Sequence, residues 1–290
     1  MNNTDTLYHY CSNGAFLSII KNRSVFLNSL SLSNDSMEGK LVSDLLLKVA
    51  NEDGFGEWKA GLLKAQLKAF SPMFEGLGFC LSAEDDLLSQ WRGYANDAKG
   101  FSIGFSLDAL KLACNQSSKN NKLKNPLTTL QPIEYDEAKQ KEIVKELYIP
   151  LKAELDTLEQ LQKHRNPTAA HKKQRSQCVS LLSSLLTDLP KISFSFKSKA
   201  FIEEQEWRLV SYLMDIHLDP KDNNALCNFR SKDDCITPFR EFHFDKEDRS
   251  LITEVILGPK NVTPIHVVES LLKQAGYDNV EVKPSKASYR

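Results

Sequence analysis

The sequence predicts an α+β protein with a mixed or antiparallel central sheet, flanking helices and a helical insertion. Three observations carry that expectation. Short apolar stretches of strand character, such as GFSIGFS at 100–106, occur before and after a long central segment. That segment, 137–190, turns to Lys, Glu, Gln and Leu, and Leu151, Leu155, Leu158 and Leu161 recur at three- and four-residue spacing. The chain has 290 residues and 41% apolar content, enough for one well-buried domain over 1–290 carrying the insertion.

The elements follow in order. LYHYCS (7–12) is aromatic-rich and reads as a strand. Asn13 then reads as an N-cap, with Phe16, Ile19 and Ile20 on one helical face. SVFLNS (24–29) reads as a second strand, and LSNDSMEG (32–39) as a turn. Amphipathic helices are expected near 37–51 and 56–71. GLGFCLS (76–82) and GFSIGFS (100–106) read as strands, with a helical turn and loop between them. LQPIEYD (130–136) is another strand. The insertion reads as two helices broken near RNPT (165–168), with His164 and His171 at solvated positions. Strands return at 205–213, 236–244 and 251–257, then a helix at 264–276 and a last strand at 279–285.

The formal net charge of -1 gives no global attraction to nucleic acid or anionic lipid. No apolar run approaches the ~18 residues of a membrane span. The opening MNNTDTLYHY lacks a secretory pattern, so a cytoplasmic protein without membrane contact is expected. The six cysteines, at 11, 80, 114, 178, 227 and 235, show no C-x-x-C spacing and read as reduced thiols. Phosphate-loop, dinucleotide-fingerprint, H-E-x-x-H and G-x-S-x-G motifs are all lacking.

Four clusters remain as carriers of chemistry. In FIEEQEWRLVSY, a strand would place Glu204, Glu206 and Arg208 on one face, with Trp207 and Leu209 on the core face. The charged face then looks toward solvent, as a Glu–Arg surface pair, or into a cleft. In LSQWRGYANDAKGFSIGF, Trp91 and Tyr94 can stack on a ring and Arg92 can grip a pyrophosphate. The alternative is that Trp91 and Tyr94 pack the helix onto the sheet. His9, opposite in facing to Tyr8 and Tyr10, is structural or catalytic. Asp35 and Glu38 cap the following helix or hold a ligand.

LYHYCS, LSNDSMEG, FCLSAEDDLLSQWRGYANDAKGFSIGF, FIEEQEWRLV, ITEVILGP and VKPSKASYR together resemble the bacterial domain-of-unknown-function family 2971. The resemblance spans nearly all of the chain outside 137–190 and supplies no activity. A second one does. An early strand His, a middle aromatic or serine position and a late strand Glu in an E-x-E pair resemble the ADP-ribosyltransferase superfamily. That resemblance implies NAD as substrate. His9 would hold the adenosine-side ribose, with Tyr10 beside it in the cofactor site. Tyr94 or Trp91 would stack on nicotinamide. Glu206 would stabilise an oxocarbenium-like transition state, and Glu204 would orient the acceptor. Ser82 is the nearest serine to the middle position; no Ser-Thr-Ser motif is present. Arg208 and the terminal Ser285 and Arg290 belong to the first resemblance and not to the transferase pattern; lining the same cleft, they would suit a phosphate-bearing ligand.

The same resemblance implies either transfer to an unknown macromolecular acceptor, nucleic acid or protein, or simple hydrolysis of NAD. It also implies a toxin or phage-defence setting with a neutralising or defence-system partner protein. Two other readings stand beside it. One is a non-catalytic nucleotide-sensing or protein-interaction module. The other is a metal-dependent nuclease or phosphodiesterase using Asp35, Glu38, Glu204 and Glu206. The transferase reading requires His9, Tyr94 and Glu206 to converge in one cleft. His9 and Glu206 on opposite sides of the sheet would sink the transferase hypothesis. The module reading places Glu206 on an open face, paired with Arg208 and without His9 nearby.

Overall fold

The computed structural model describes residues 5–33, 37, 39–119, 125–164, 166–214, 227–232 and 235–289. They form an α+β fold with a mixed sheet of ten strands. Strand β1 (Thr6–Cys11) leads into α1 (Asn13–Asn22) and β2 (Ser24–Ser29). Helices α2 (Leu41–Glu52) and α3 (Glu57–Phe70) precede β3 (Phe74–Ser82). Then come α4 (Leu88–Tyr94), β4 (Phe101–Ser106), α5 (Leu107–Lys119) and β5 (Thr129–Pro132). Helices α6 (Glu137–Gln162), α7 (Ala169–Leu186) and α8 (Leu189–Ser193) follow. The chain returns to the sheet through β6 (Glu206–Met214), β7 (Asn228–Lys232), β8 (Cys235–His243) and β9 (Ile252–Leu257). Helix α9 (Ile265–Gln274) and β10 (Glu281–Pro284) close the fold.

One path through the sheet runs β10-β9-β4-β1-β3-β2-β8-β7, with β6 on the other edge of β3 and β5 outside β6. Only β9 and β10 pair in parallel; the other named pairs are antiparallel. Helices α1, α5 and α9 cover one face, where Phe16, Ile20, Leu110 and Leu272 pack on Leu7, Phe79, Phe105 and Val255. This pattern is what period-2 alternation buries.

A second apolar cluster is entirely helical apart from Phe196. It joins Val42, Leu46, Leu63 and Leu67 of α2 and α3 to Leu151, Leu155, Leu182 and Leu189 of α6 to α8. The 137–190 segment is therefore helical as expected, but it shares its core with α2 and α3. Thr168 opens α7 in a capping box with His171, whose ring stacks on His164 at 4.2 Å.

Several local expectations need correction. Ser12 is the N-cap of α1, because its side chain accepts from Ala15 N; Asn13 is the first helical residue. Strand β5 stops at Pro132, and Glu134 makes only a lone bridge to Phe196. Helix α5 and strand β7 have no counterpart in the sequence reading. Asp35 and Glu38 lie outside the described residues. All six cysteines are free, and no helix among the described residues is long and apolar enough to cross a membrane.

Candidate functional site

The site begins with strand register. Glu206 lies opposite Ser82, Arg208 opposite Cys80, Val210 opposite Gly78 and Tyr212 opposite Gly76. Cross-strand partners share a face, so the charged residues of β6 lie beside the small residues of β3. Glycine is required there. A Cβ on Gly78 would lie 2.6 Å from the Leu30 side chain, and one on Gly76 would lie 2.4 Å from the Phe194 ring.

The opposite edge of β3 is shared. β1 meets it only at Tyr8–Ser82, and β2 only at Leu77 and Gly78. The sheet thus divides along Phe79–Leu81. A cavity of about 380 Å³ lies at this division, a volume suited to a small ligand. Its β1 wall is Tyr8, His9 and Tyr10; its β2 wall is Asn28, Ser29 and Leu30. Helix α4 contributes Gln90, Gly93 and Tyr94, spaced to share a face. Lys197, Glu204, Glu206 and Arg208 also line it, as does the exposed thiol of Cys80.

The four charged residues form one buried network. Arg208 is 1% exposed and donates from Nε to Glu206 Oε1 at 2.7 Å and from Nη2 to Oε2 at 2.9 Å. Its Nη1 donates to Phe194 O at 3.0 Å. Lys197, also buried, donates to Glu204 Oε2 and, at 3.1 Å, to Glu206 Oε2. The backbone N–H of Glu206 donates to the Tyr135 hydroxyl at 3.0 Å. Two cations and two carboxylates balance each other, which is the condition for burying charge.

The two carboxylates are driven apart. Burial works to raise Glu206, but the charge and double hydrogen bond of Arg208, followed by Lys197 and the Cys80 side chain, hold it at about 2. For Glu204, burial outweighs the Lys197 contact, and its pKa is raised above the ordinary carboxylate value. Lys197 stays protonated because the two carboxylates overcome its burial. Among the described residues, Glu204 Oε1 has no hydrogen-bond partner, whereas both oxygens of Glu206 are taken.

Glu204 reaches this position by an unexpected route. It ends a 3₁₀ turn, Lys199–Glu204, and Gln205 then adopts a left-handed backbone with φ 41°. Strand β6 starts only at Glu206. Glu206 and Arg208 share a strand face as expected; Glu204 joins them through the turn. The solvated-face alternative is overturned by the burial of all three. Trp207 and Leu209 do face the sheet core.

Tyr94 stands at the cleft, 44% exposed, its phenol pushed up to about 12 by desolvation and then by the charge of Glu204. Tyr10 is buried, donating to Glu84 O and accepting from Leu87 N. His9 leaves β1 on the face opposite Tyr8 and Tyr10. Tyr8 shares its face with Ser82 and hence with Glu206, so His9 and Glu206 emerge on opposite faces. The cavity touches both because the sheet is divided there. The His9 ring packs on Phe79 at 4.0 Å, and Nδ1 lies 2.8 Å from Cys80 O. A carbonyl only accepts, so Nδ1 carries the proton and Nε2 is the acceptor. Burial lowers the ring's pKa to about 4, against the smaller effect of the Cys80 carbonyl, and the ring is neutral at neutral pH.

Three expected ligand contacts are absent from the lining. Trp91 is fully buried, edge-on to Tyr10 at 4.9 Å, and donates to Asp86 at 2.6 Å. Its indole packs α4 onto the sheet. Arg92 points to the Tyr289 ring, 5.7 Å from its centroid. Ser82 is buried and donates to Glu204 O at 2.7 Å, so it holds the turn that presents Glu204. Ser285 donates to Asp86, also outside the lining, and Arg290 is outside the described residues. Sequence reasoning missed Lys197, Gln90, Cys80, Asn28 and Tyr135. Lys197 lies in a loop, where no periodicity marks it.

Comparison with known proteins adds one finding. Residues 90–209 match the model of a family described as protein of unknown function (DUF2971). The match covers less than half of the chain but includes Gln90, Tyr94 and the whole charged network. No curated protein and no solved structure matches the chain. Among the described residues, no group of three or more His, Cys, Asp or Glu side chains is placed to hold a metal ion.

Proposed function

We propose that the cleft binds a nicotinamide dinucleotide and breaks its N-glycosidic bond, passing the ADP-ribosyl group to water or to a macromolecular acceptor. The observation that carries this reading is the pair of neighbouring carboxylates with opposite pKa shifts, in the same cleft as Tyr94. Paired carboxylates with divergent ionisation are the usual equipment for glycosidic chemistry. As the C–N bond breaks, its electron pair passes to the pyridinium nitrogen and neutral nicotinamide leaves. The ribose carbon becomes cationic. A carboxylate fixed beside it favours that state over the ground state. The attacking hydroxyl or water then loses its proton to the carboxylate.

His9 and Glu206 emerge on opposite faces, so the arrangement that the superfamily resemblance requires is not met, and this reading rests on Glu204, Glu206 and Tyr94 in the cleft. Glu204, with one oxygen uncommitted, is the reacting carboxylate. Glu206, clamped by Arg208 and Lys197, positions Lys197 and through it Glu204. Tyr94 offers its ring to nicotinamide. His9, on the far face, supports the β1–β3 division rather than holding the ribose. Abundant cytoplasmic NAD makes the cytoplasm the natural setting for such an enzyme.

A second reading, a nucleotide-binding module without turnover, is favoured by two observations: both Glu206 oxygens are occupied, and His9 lies on the opposite face. Nicotinamide release from NAD separates the two. Purified protein, with and without cell extract, is expected to release nicotinamide, and Glu204→Gln to slow release by about a hundredfold or more. Dependence on extract identifies transfer; independence identifies hydrolysis. No release by wild type under either condition would leave the binding module.

A further inference from the structure

The charged network is self-neutralised, so it does not explain how the cleft recognises a ligand's uncharged parts. Gln90 does. It is only 8% exposed, it lines the cavity from α4, and its amide makes no hydrogen bond with any described residue. Neither amide atom is among the fully buried polar atoms without a partner, so the amide opens onto the cleft, where a ligand or water meets it. Beside it, Gly93 leaves open space: a Cβ there would meet nothing within 4 Å. On the β2 wall, Asn28 shows a related deficit. Its Nδ2 donates to Phe26 O at 3.0 Å, while its buried Oδ1 has no partner. Two carboxamides with unmet hydrogen-bonding capacity thus line one cavity from different elements.

We infer that Gln90, with Asn28 across the cleft, is the specificity determinant that reads a planar edge offering an N–H donor beside an acceptor. A side-chain amide meets such an edge with two hydrogen bonds, one given and one received. Two ligand groups share that chemistry, an adenine-type base and a carboxamide, and a nicotinamide dinucleotide contains both. The inference rests on the cleft being a nucleotide site, but not on turnover.

Titration calorimetry with four neutral probes tests it. Adenosine is compared with purine riboside, which lacks the amino donor, and nicotinamide with 3-acetylpyridine, which lacks the amide N–H. Wild type is expected to prefer the donor-bearing member of one pair, which identifies the group read. Gln90→Leu is expected to weaken that probe by about tenfold or more and to abolish the preference. Gln90→Met, apolar and of similar length, should reproduce the result if the leucine variant fails to fold by circular dichroism. Unchanged affinity and preference in a folded variant would overturn the inference. So would wild-type protein that binds neither adenosine nor nicotinamide. Selective binding with no nicotinamide release from NAD would leave this inference standing while the turnover reading fails.

Discussion

Glu206 is held between Arg208 and Lys197 with almost no water contact. Removing one member of such a buried network leaves its partner's charge uncompensated, which typically costs about 3–5 kcal/mol. Glu206→Gln is therefore expected to lose stability of that order, measured by urea unfolding. Glu206→Gln/Arg208→Met, which removes both charges, should recover part of it. The same ion pair sets an acid dependence. The folded pKa of about 2 lies below the ordinary 4.5, so between these values the unfolded chain binds the proton and the folded chain does not. Stability from Glu206 is full above about 4.5 and is lost as pH falls toward about 2. The unfolding midpoint of wild type should drop across that window, and the Glu206→Gln variant should show a shallower drop. Equal slopes would show that the pair does not control acid stability.

At the scale of elements, α4 owes its position to the C-terminal tail. Asp86, just before α4, accepts from Trp91 Nε1 at 2.6 Å, from Ser285 Oγ at 2.5 Å and from Lys286 N at 2.6 Å. Beyond α4, Asp97 accepts from the Tyr289 hydroxyl at 2.8 Å and pairs with Lys260 at 2.7 Å. The tail thus fastens both ends of the segment that carries Gln90 and Tyr94. Deleting 285–290 is expected to speed amide exchange in α4 by about tenfold, while β3 and β4 keep their protection. Uniformly faster exchange would instead show a global loss. The elements themselves were unequally legible in the sequence. Strand β4 was readable because Phe101, Ile103 and Phe105 alternate with small residues, and β1 because it is rich in aromatics. Strand β7 was not: Asn228, Phe229 and Ser231 are all exposed on an edge, so nothing alternates. Helix α5 was missed because its buried positions, Ala109, Leu110, Cys114 and Ser117, include only one large apolar side chain, and its second half is polar. The pairing of Glu206 with Arg208 was legible from spacing. Its burial was not, because that depends on Lys197 arriving from a loop and on Gln205 turning left-handed, and neither feature leaves a periodic trace.

At the scale of the whole molecule, the charged network sits on the seam between the sheet and the helical layer. Arg208 binds the carbonyl of Phe194, directly after α8, and Phe196 belongs to the helical core while Lys197 belongs to the cleft. The side chain of Phe194 packs with Leu30 and Val210 over the glycine face of β3. Docking of the helices therefore sets where Lys197 stands, and Lys197 sets Glu204. Gly76 tests this coupling, because it borders Phe194 but does not line the cleft. A valine there overlaps the Phe194 ring, so the 194–204 segment must shift outward or the sheet must yield. Overpacking of this kind costs about 1–3 kcal/mol. Gly76→Val is expected to lower the thermal midpoint accordingly. It is also expected to weaken adenosine or nicotinamide binding, whichever wild type prefers, by about fivefold or more at a temperature where the protein remains folded. A variant that loses stability but binds like wild type would show that the helical layer supports the fold without setting the cleft. A variant that loses both places the control of Glu204 in the contact between Phe194 and β3, some distance from any group that touches ligand.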